Sequence, residues 1–221
     1  MVERIVTGPL SVNTYIYSEW KKECLIIDPG GDPDKIISHM TRKNLKPLGI
    51  ICTHGHLDHI AAIPAILDHY LESDVRIPVA IHSKDKKFLG SRAREHHEAN
   101  FSNLGPEAQA LFQEMYQPLP AADVILEEGD NPFGSLLKVV HTPGHTNGSI
   151  CLHHESYMTL ISGDTLFFEG VGRTDLIGGS QNKLLKSITE KLYTLPPETT
   201  VFPGHGPFST IEREMAHTPY T

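Results

Sequence analysis

Basic residues are scarce in this 221-residue chain, where 19 Lys and Arg stand against 27 Asp and Glu and leave a formal net charge of −8 with His neutral. A nucleic-acid interface needs clustered cations to displace counterions from phosphates, so that class of partner is not expected. Cysteine is scarce as well. Cys24, Cys52 and Cys151 are odd in number, far apart and set in apolar stretches, which reads as buried thiols in a reducing compartment, not a disulfide framework. No stretch approaches the ~18 apolar residues of a membrane span. The first residues, Met1 to Val6, have neither the basic segment nor the long apolar core of a secretion signal. A cytoplasmic protein with no membrane association is therefore expected. Repeats and low-complexity segments are absent too, and 39% hydrophobic residues suffice for a core. One domain over residues 1–221 is the expectation, although the length would also accommodate two small ones.

What is abundant is histidine, 14 residues in a chain with one Trp and seven Tyr. Neutral imidazole is the commonest nitrogen ligand for transition metals, so the positions of these residues matter. Short apolar or alternating runs at Arg4 to Val6, Asn13 to Tyr17 and Cys24 to Ile27 read as antiparallel strands, with Lys21, Lys22 and Glu23 forming a charged turn. A helix over residues 34–43 follows, with Asp32 as its N-cap, and residues 48–52 read as a buried strand. A second helix is expected from Asp58 to Leu71, with Pro64 tolerated in its first turns. Val79 to Ile81 is a further strand. Residues 84–116, closed by Pro118 and Pro120, read as a helical insertion over one edge of the core, spanning about 84–120 in all. Strands return at 124–126, 136–140, 149–152 and 159–161, then come an amphipathic helix over 184–195, a strand at Val201 and Phe202, and a tail. Strands and helices in this alternation imply an α/β protein with two packed sheets and helices outside.

The chemistry concentrates at Thr53-His54-Gly55-His56-Leu57-Asp58-His59, three imidazoles and a carboxylate within six residues at the end of a buried strand. In extended chain residues i and i+2 point the same way, so His54 and His56 suit one ion while Asp58 and His59, on the turn into the helix, suit a second. Gly55 is read as supplying backbone freedom between ligands. Three other segments share this form, each a ligand at the end of a short strand: His145 in Thr142-Pro143-Gly144-His145-Thr146, Asp164 in Ser162-Gly163-Asp164-Thr165, and His205 in Pro203-Gly204-His205-Gly206. A carboxylate such as Asp164 has two oxygens and can bridge two cations.

These segments, in this order, resemble the metallo-β-lactamase superfamily over essentially the whole chain. The resemblance implies an αββα sandwich, two mixed β-sheets with helices on the outer faces. It assigns His54, His56 and His145 to a first divalent metal, Asp58, His59 and His205 to a second, and Asp164 to the bridge between them. Asp28, in Ile27-Asp28-Pro29-Gly30, matches an aspartate that orients ligands without binding metal. Zinc suits the His-rich set, with iron and manganese also accepted by His and carboxylate.

Within the superfamily, the first motif together with Gly163-Asp164-Thr165-Leu166-Phe167 and Gly172-Arg173-Thr174-Asp175 is similar to the glyoxalase II-like thioester hydrolases. That likeness implies a small-molecule thioester substrate of the S-acylglutathione type, S-lactoylglutathione first among them. The attacking group would be a hydroxide bridging the metals, oriented or relieved of a proton by Asp58. Glyoxalase II itself carries a helical C-terminal extension that helps bind glutathione, and here 16 residues follow His205. The insertion or the Arg173 loop would have to take over that work. Persulfide dioxygenases share the fold and a similar Gly-Arg-Thr-Asp segment, and the alternative they imply is an oxidoreductase with one iron on His54, His145 and Asp164. A nuclease is disfavoured by the acidic charge, a β-lactamase by the missing secretion signal, and a non-catalytic metal-binding member by retention of all seven ligands.

The remaining histidines have plainer readings. His141 reads as a buried or supporting neighbour of the site, His96, His97, His153 and His154 as solvated, and His69 and His82 carry no spacing argument. Arg173 suits either a substrate carboxylate or a salt bridge to Asp175.

Overall fold

The computed structural model describes residues 1–19, 22–102 and 104–218. Lys21 of the expected charged turn and the last three residues lie outside them. The first half of the chain builds a six-stranded mixed sheet, in the spatial order of the sequence, from β1 (Val2–Thr7), β2 (Val12–Tyr17), β3 (Glu23–Ile27), β4 (Lys46–Ile51), β5 (Val79–His82) and β6 (Val124–Leu126). β1 to β3 are antiparallel, and β3 to β6 run parallel. A second mixed sheet is assembled from β7 (Lys138–His141), β8 (Ile150–His154), β9 (Thr159–Gly163), β12 (Thr200–Pro203) and β13 (Ser209–Thr210) in the order 13-12-9-8-7. Between β9 and β12 a small hairpin pairs β10 (Leu166–Phe167) with β11 (Gly170–Val171).

Period-2 alternation explains why both faces of each sheet are apolar. On β3, Leu25 and Ile27 point between the sheets and meet Leu137, Val139, Ile150, Leu152 and Ile161, while Cys24 and Ile26 point outward under the helices. The outer face of the first sheet is covered by α1 (Pro33–Lys43), α2 (Leu57–Ile60) and α3 (Ile63–Leu71) through Ile36, Met40, Ile60, Ile63 and Ile66. Each such Ile removed from water contributes about 1.5–3 kcal/mol. The outer face of the second sheet, with Cys151, Leu160 and Val201, is covered by Leu184, Ile188, Leu192 and Ile211. The layers are helix, sheet, sheet, helix. All three cysteines are free and buried, as expected. Among the described residues no helix is long and apolar enough to cross a membrane.

Several local expectations are corrected. The helix expected from Asp58 to Leu71 is two helices, because Pro64 starts α3 and the Ala62 N–H leaves the helical ladder to donate to the Pro29 carbonyl at 3.0 Å. Asp32 stands at the N-cap position of α1 but does not cap with its side chain, which accepts from the Gly8 N–H at 3.1 Å. The strand expected over 136–140 begins two residues later, with Leu136 exposed. The helix expected over 184–195 is α6 (Gln181–Ser187), running into a π turn at Ile188–Leu192.

Within the expected tail, residues 209–217 form regular structure. β13 leads into α7 (Ile211–His217), whose first turn is capped by Thr210 accepting from the Arg213 N–H. Ile211 joins the core, and buried Glu214 accepts from the Ser209 and Thr218 hydroxyls and the Glu169 N–H. The helical segment at 84–120 consists of a 3₁₀ turn at Lys86–Phe88, α4 (Ala93–Ser102) and α5 (Pro106–Met115). It is more than an edge cover, since Phe88, Leu89, Ala93, Phe112 and Met115 join the core under the first sheet.

Candidate metal centre

The polar residues that matter sit just past the C-terminal ends of strands in both sheets: Asp28 after β3, His54 after β4, Asp85 after β5, Asp164 after β9 and His205 after β12. In open sheets with parallel strands that end is where loops leave a crevice, and here the two sheets bring their crevices face to face. His145 enters from the loop between β7 and β8. Two groups of donors result, His54 with His56 and His145, and Asp58 with His59 and His205, the ligand atoms within each lying within 4.8 Å of one another. Asp164 lies between them, with Oδ1 at 3.3 Å from His59 Nε2 and Oδ2 at 3.6 Å from His145 Nε2 and 3.8 Å from His205 Nε2. All seven expected ligands are thus brought together.

Hydrogen bonds at the far side of His54, His59 and His145 decide which nitrogen of each faces the centre. Asp28 is the anchor. Its Oδ1 accepts from the Thr53 N–H at 2.7 Å, and its Oδ2 accepts from the Thr53 hydroxyl at 2.6 Å and from His59 Nδ1–H at 2.9 Å. Because the Thr53 hydroxyl donates to Asp28, its oxygen accepts from His54 Nδ1–H at 3.1 Å. His145 Nδ1–H donates to the Arg173 carbonyl at 2.8 Å. Three Nδ1 protons are therefore committed outward, which turns the Nε2 atoms of His54, His59 and His145 inward.

Those inward atoms crowd one another. His54 Nε2 lies 3.2 Å from His145 Nε2, and His59 Nε2 lies 3.3 Å from His205 Nε2. His56 Nε2 and Asp164 Oδ1 are buried with no hydrogen-bond partner. At His54 and His145, whose Nδ1 protons are both committed, the facing Nε2 lone pairs repel unless a cation lies between them, and His56 Nε2 and Asp164 Oδ1 stand orphaned beside them, so the donor set fits metal ions. The seven residues are compatible with a dinuclear centre. Asp28 also falls within ligand range of His54 and His59, but its carboxylate already accepts three hydrogen bonds and serves to aim both rings.

The local charge agrees. Burial works against ionisation of Asp58 and Asp164, yet neighbouring imidazoles outweigh it: His59 and the His205 hydrogen bond hold Asp58 well below the ordinary carboxylate range, and His59 and His145 pull Asp164 to about 2. Burial and neighbouring rings push His54 and His56 down, keeping both neutral.

Four features of the site escaped sequence reading. Asp85, buried, accepts from the Gly55 N–H at 3.0 Å and the Thr146 hydroxyl at 2.6 Å through Oδ2, and from the Gly148 N–H at 2.9 Å through Oδ1, so one carboxylate ties the His54–His59 loop to the His145 loop. It follows a strand end as the other ligands do, which is the signal that would have found it. Asn13 and Tyr15 on β2 hold the His205 turn of the opposite sheet, donating to the Pro203 carbonyl at 2.8 and 2.6 Å. Gly55 is required for space, not for freedom, because a Cβ there would lie 2.1 Å from the Phe88 ring. Gly204 is required likewise, a Cβ coming within 2.2 Å of Asp164 Oδ1.

Other expectations divide. Arg173 is clamped on Asp175 by two bonds of 2.7 Å, the structural alternative, while its carbonyl fixes His145. His141 is half-buried, stacked on His82 at 4.1 Å and bonded to the Asn147 carbonyl, outside both donor groups. The four histidines expected in solvent are not exposed: His96 and His153 are half-buried, and His97 and His154 are buried, the last stacked on Tyr157. The centre opens on a cavity of about 470 Å³ whose walls include His56, Asp58, His145, Asp164 and His205 beside Leu10, Leu57, Phe101, Leu104, Phe167 and Leu176.

Comparison with known proteins gives a family model, described as the metallo-beta-lactamase superfamily, that matches residues 7–205. "Probable metallo-hydrolase YqgX" of Bacillus subtilis is 38% identical over 220 residues, 98% of this chain and 95% of that protein. "Hydroxyacylglutathione hydrolase GloC" of Haemophilus influenzae is 29% identical over 227 residues, 99% of this chain and 97% of that one. Among solved structures, BLEG-1 B3 metallo-beta-lactamase superposes with a TM-score of 0.85 at 37% identity, covering 100% of this chain and 99% of the other. TTHA1623 in a di-iron-bound form superposes at 0.81 with 32% identity, covering 99% and 100%.

Proposed function

The chain belongs to the metallo-beta-lactamase superfamily, and from that premise we propose that it hydrolyses small-molecule thioesters of the S-acylglutathione type. The observation that carries this reading is a set of inward-facing, unpaired imidazole and carboxylate atoms at the wall of a largely apolar cavity. His54, His56 and His145 would hold one divalent cation, Asp58, His59 and His205 a second, and Asp164 would face both. Zinc is the first candidate, with iron next because a related structure holds a pair of irons. Bound there, such cations supply Lewis acidity, acidifying water and polarising a carbonyl.

The chain's own groups do the rest. Asp58 is ionised, its Oδ2 is 3.3 Å from His205 Nε2, and it borders the cavity, so it can orient a water and accept its proton. Water adds to the acyl carbon, the C–S bond breaks, and the sulfur leaves with the bonding pair. Leu57 and Phe167, beside the proposed ligands on the cavity wall, help keep bulk water from the acyl group, which strengthens the polar interactions inside. The cavity is of a size that takes a small ligand. Support for the thiol half of the substrate comes from the relative named as a hydroxyacylglutathione hydrolase, which aligns along nearly the full chain.

The test is metal analysis and thioester hydrolysis on one sample. Metal near two equivalents, with release of thiol from S-lactoylglutathione or simpler acyl-thiols, is the expected result. The reading fails if fully metal-loaded protein leaves all of them intact. Oxygen uptake with glutathione persulfide would indicate the oxidoreductase in its place.

A further inference from the structure

Polar atoms buried without partners are costly, and in this protein they gather around one cavity. Ten such side-chain atoms occur among the described residues, and five belong to residues that line the cavity: His56 Nε2, Asp164 Oδ1, His97 Nδ1 and both Asn100 amide atoms. The first two are explained by the metal centre. The other three are not, and each buried polar atom left unpaired costs about 1–3 kcal/mol. His97 and Asn100 are one turn apart on α4, so they share a face of that helix. They lie close to the metal centre, since the Phe88 ring is 5.3 Å from His97 and 6.2 Å from His56 between centroids.

We propose that Asn100 and His97 form a subsite that recognises a secondary amide in the thiol half of the substrate. His97 donates its Nε2–H to the Phe88 carbonyl at 3.0 Å, which leaves Nδ1 as a bare acceptor. Asn100 offers one donor, Nδ2, and one acceptor, Oδ1. Both residues line the cavity, and once their side chains turn toward a ligand there the pair offers two acceptors and a donor group, the complement of a peptide unit with its C=O and N–H. A carboxylate would meet two acceptors there, and the cation on the cavity wall, Arg173, is held by Asp175. Phe101 and Leu104 on and beside the same helix suit the methylenes between sulfur and amide. The assignment rests on the thioester reading above, and it gives the helical segment over residues 84–120 a role in choosing the substrate.

The test compares two thioesters with one acyl group, one on N-acetylcysteamine and the other on its oxygen-ester isostere, which lacks the N–H. Metal-loaded wild-type protein is expected to prefer the amide about tenfold in kcat/KM, chiefly through KM. With the substrate N–H on Asn100 Oδ1, Asn100→Leu is expected to bring that ratio near one and to raise the melting temperature, because an unpaired buried amide is replaced by a side chain of similar shape. Binding of the S-butyl thioethers of both thiols, followed by calorimetry on wild type and Asn100→Leu, gives a readout independent of turnover. A wild type that shows no preference in either assay overturns the subsite, as does a variant that melts lower and loses both substrates in proportion. If neither thioester is cleaved but the amide thioether still binds selectively through Asn100, the subsite stands and the hydrolytic reading falls.

Discussion

Replacement of Asp28 by Asn tests how the centre is aimed, because it changes one atom and removes no proposed ligand. The carboxylate accepts three hydrogen bonds, from the Thr53 N–H, the Thr53 hydroxyl and His59 Nδ1–H. An amide keeps one acceptor. With its oxygen placed on the Thr53 N–H, its NH₂ faces the other two donors, and His59 can relieve the clash by moving its proton from Nδ1 to Nε2. That is the atom turned toward Asp58, Asp164 and His205, so the lone pair offered to a cation is lost. A hydrogen bond to a charged group is worth about 1.5–3 kcal/mol, which is roughly a tenfold to hundredfold loss of affinity, the range found when outer partners of metal ligands are removed. The loss should fall on the Asp58–His59–His205 group. The Thr53 hydroxyl loses its own acceptor, but its oxygen can still accept from His54 Nδ1–H, so the His54–His56–His145 group should weaken less. Zinc titration of metal-free wild type and Asp28→Asn in competition with a chromophoric chelator, at pH 7.5, resolves the two affinities. Two unchanged constants, or a greater loss at the stronger-retained group of His54, would refute this account of how the rings are aimed.

Gly204→Ala should cost at least tenfold in metal affinity although no proposed ligand is replaced, since the new Cβ would lie 2.2 Å from Asp164 Oδ1 and 2.7 Å from His59 Cε1 and displace both; wild-type binding in the same titration would count against it. Asp85→Asn leaves either the Gly148 N–H or the Gly55 N–H without an acceptor, and in the second case turns the Thr146 hydroxyl onto Ser149. A loss of about 1–3 kcal/mol, seen as a melting-temperature drop of several degrees, is the expected outcome, together with weaker metal binding, because both ligand loops hang from that carboxylate. Burial pushes His97 from 6.5 to about 4. Above pH 6.5 both folded and unfolded chains hold it neutral; as pH falls toward 4 only the unfolded chain takes up the proton, so up to about 3 kcal/mol of stability is lost over that window. Denaturation of His97→Gln beside wild type at pH 7.5 and 4.5 checks this, and parallel losses in the two proteins would contradict it.

Much of the centre was legible in the sequence because its ligands obey a local rule. His54, His56, Asp58 and His59 are close along the chain, and His145, Asp164 and His205 each end a short apolar run beside a Gly turn. The strands were legible for the same reason, apolar alternation being a property of neighbours. The hairpin of β10 and β11 was not, since two-residue strands are too short to show a period. The ordered C-terminal segment was missed because its stability comes from Ile211 and Glu214 meeting distant residues.

By itself, then, the sequence determined the candidate ligands, their order and the strand ends that carry them, all of which depend on residues a few positions apart. Tertiary structure decided the rest. Which imidazole nitrogen faces inward depends on Asp28, Thr53 and the Arg173 carbonyl, and Asp85 and Asn100 acquire meaning only from loops and a cavity formed by distant segments. Hydrogen-bond partnership and burial are relations across space, so no local pattern encodes them, and it is these relations that bring seven scattered candidate ligands into one cluster.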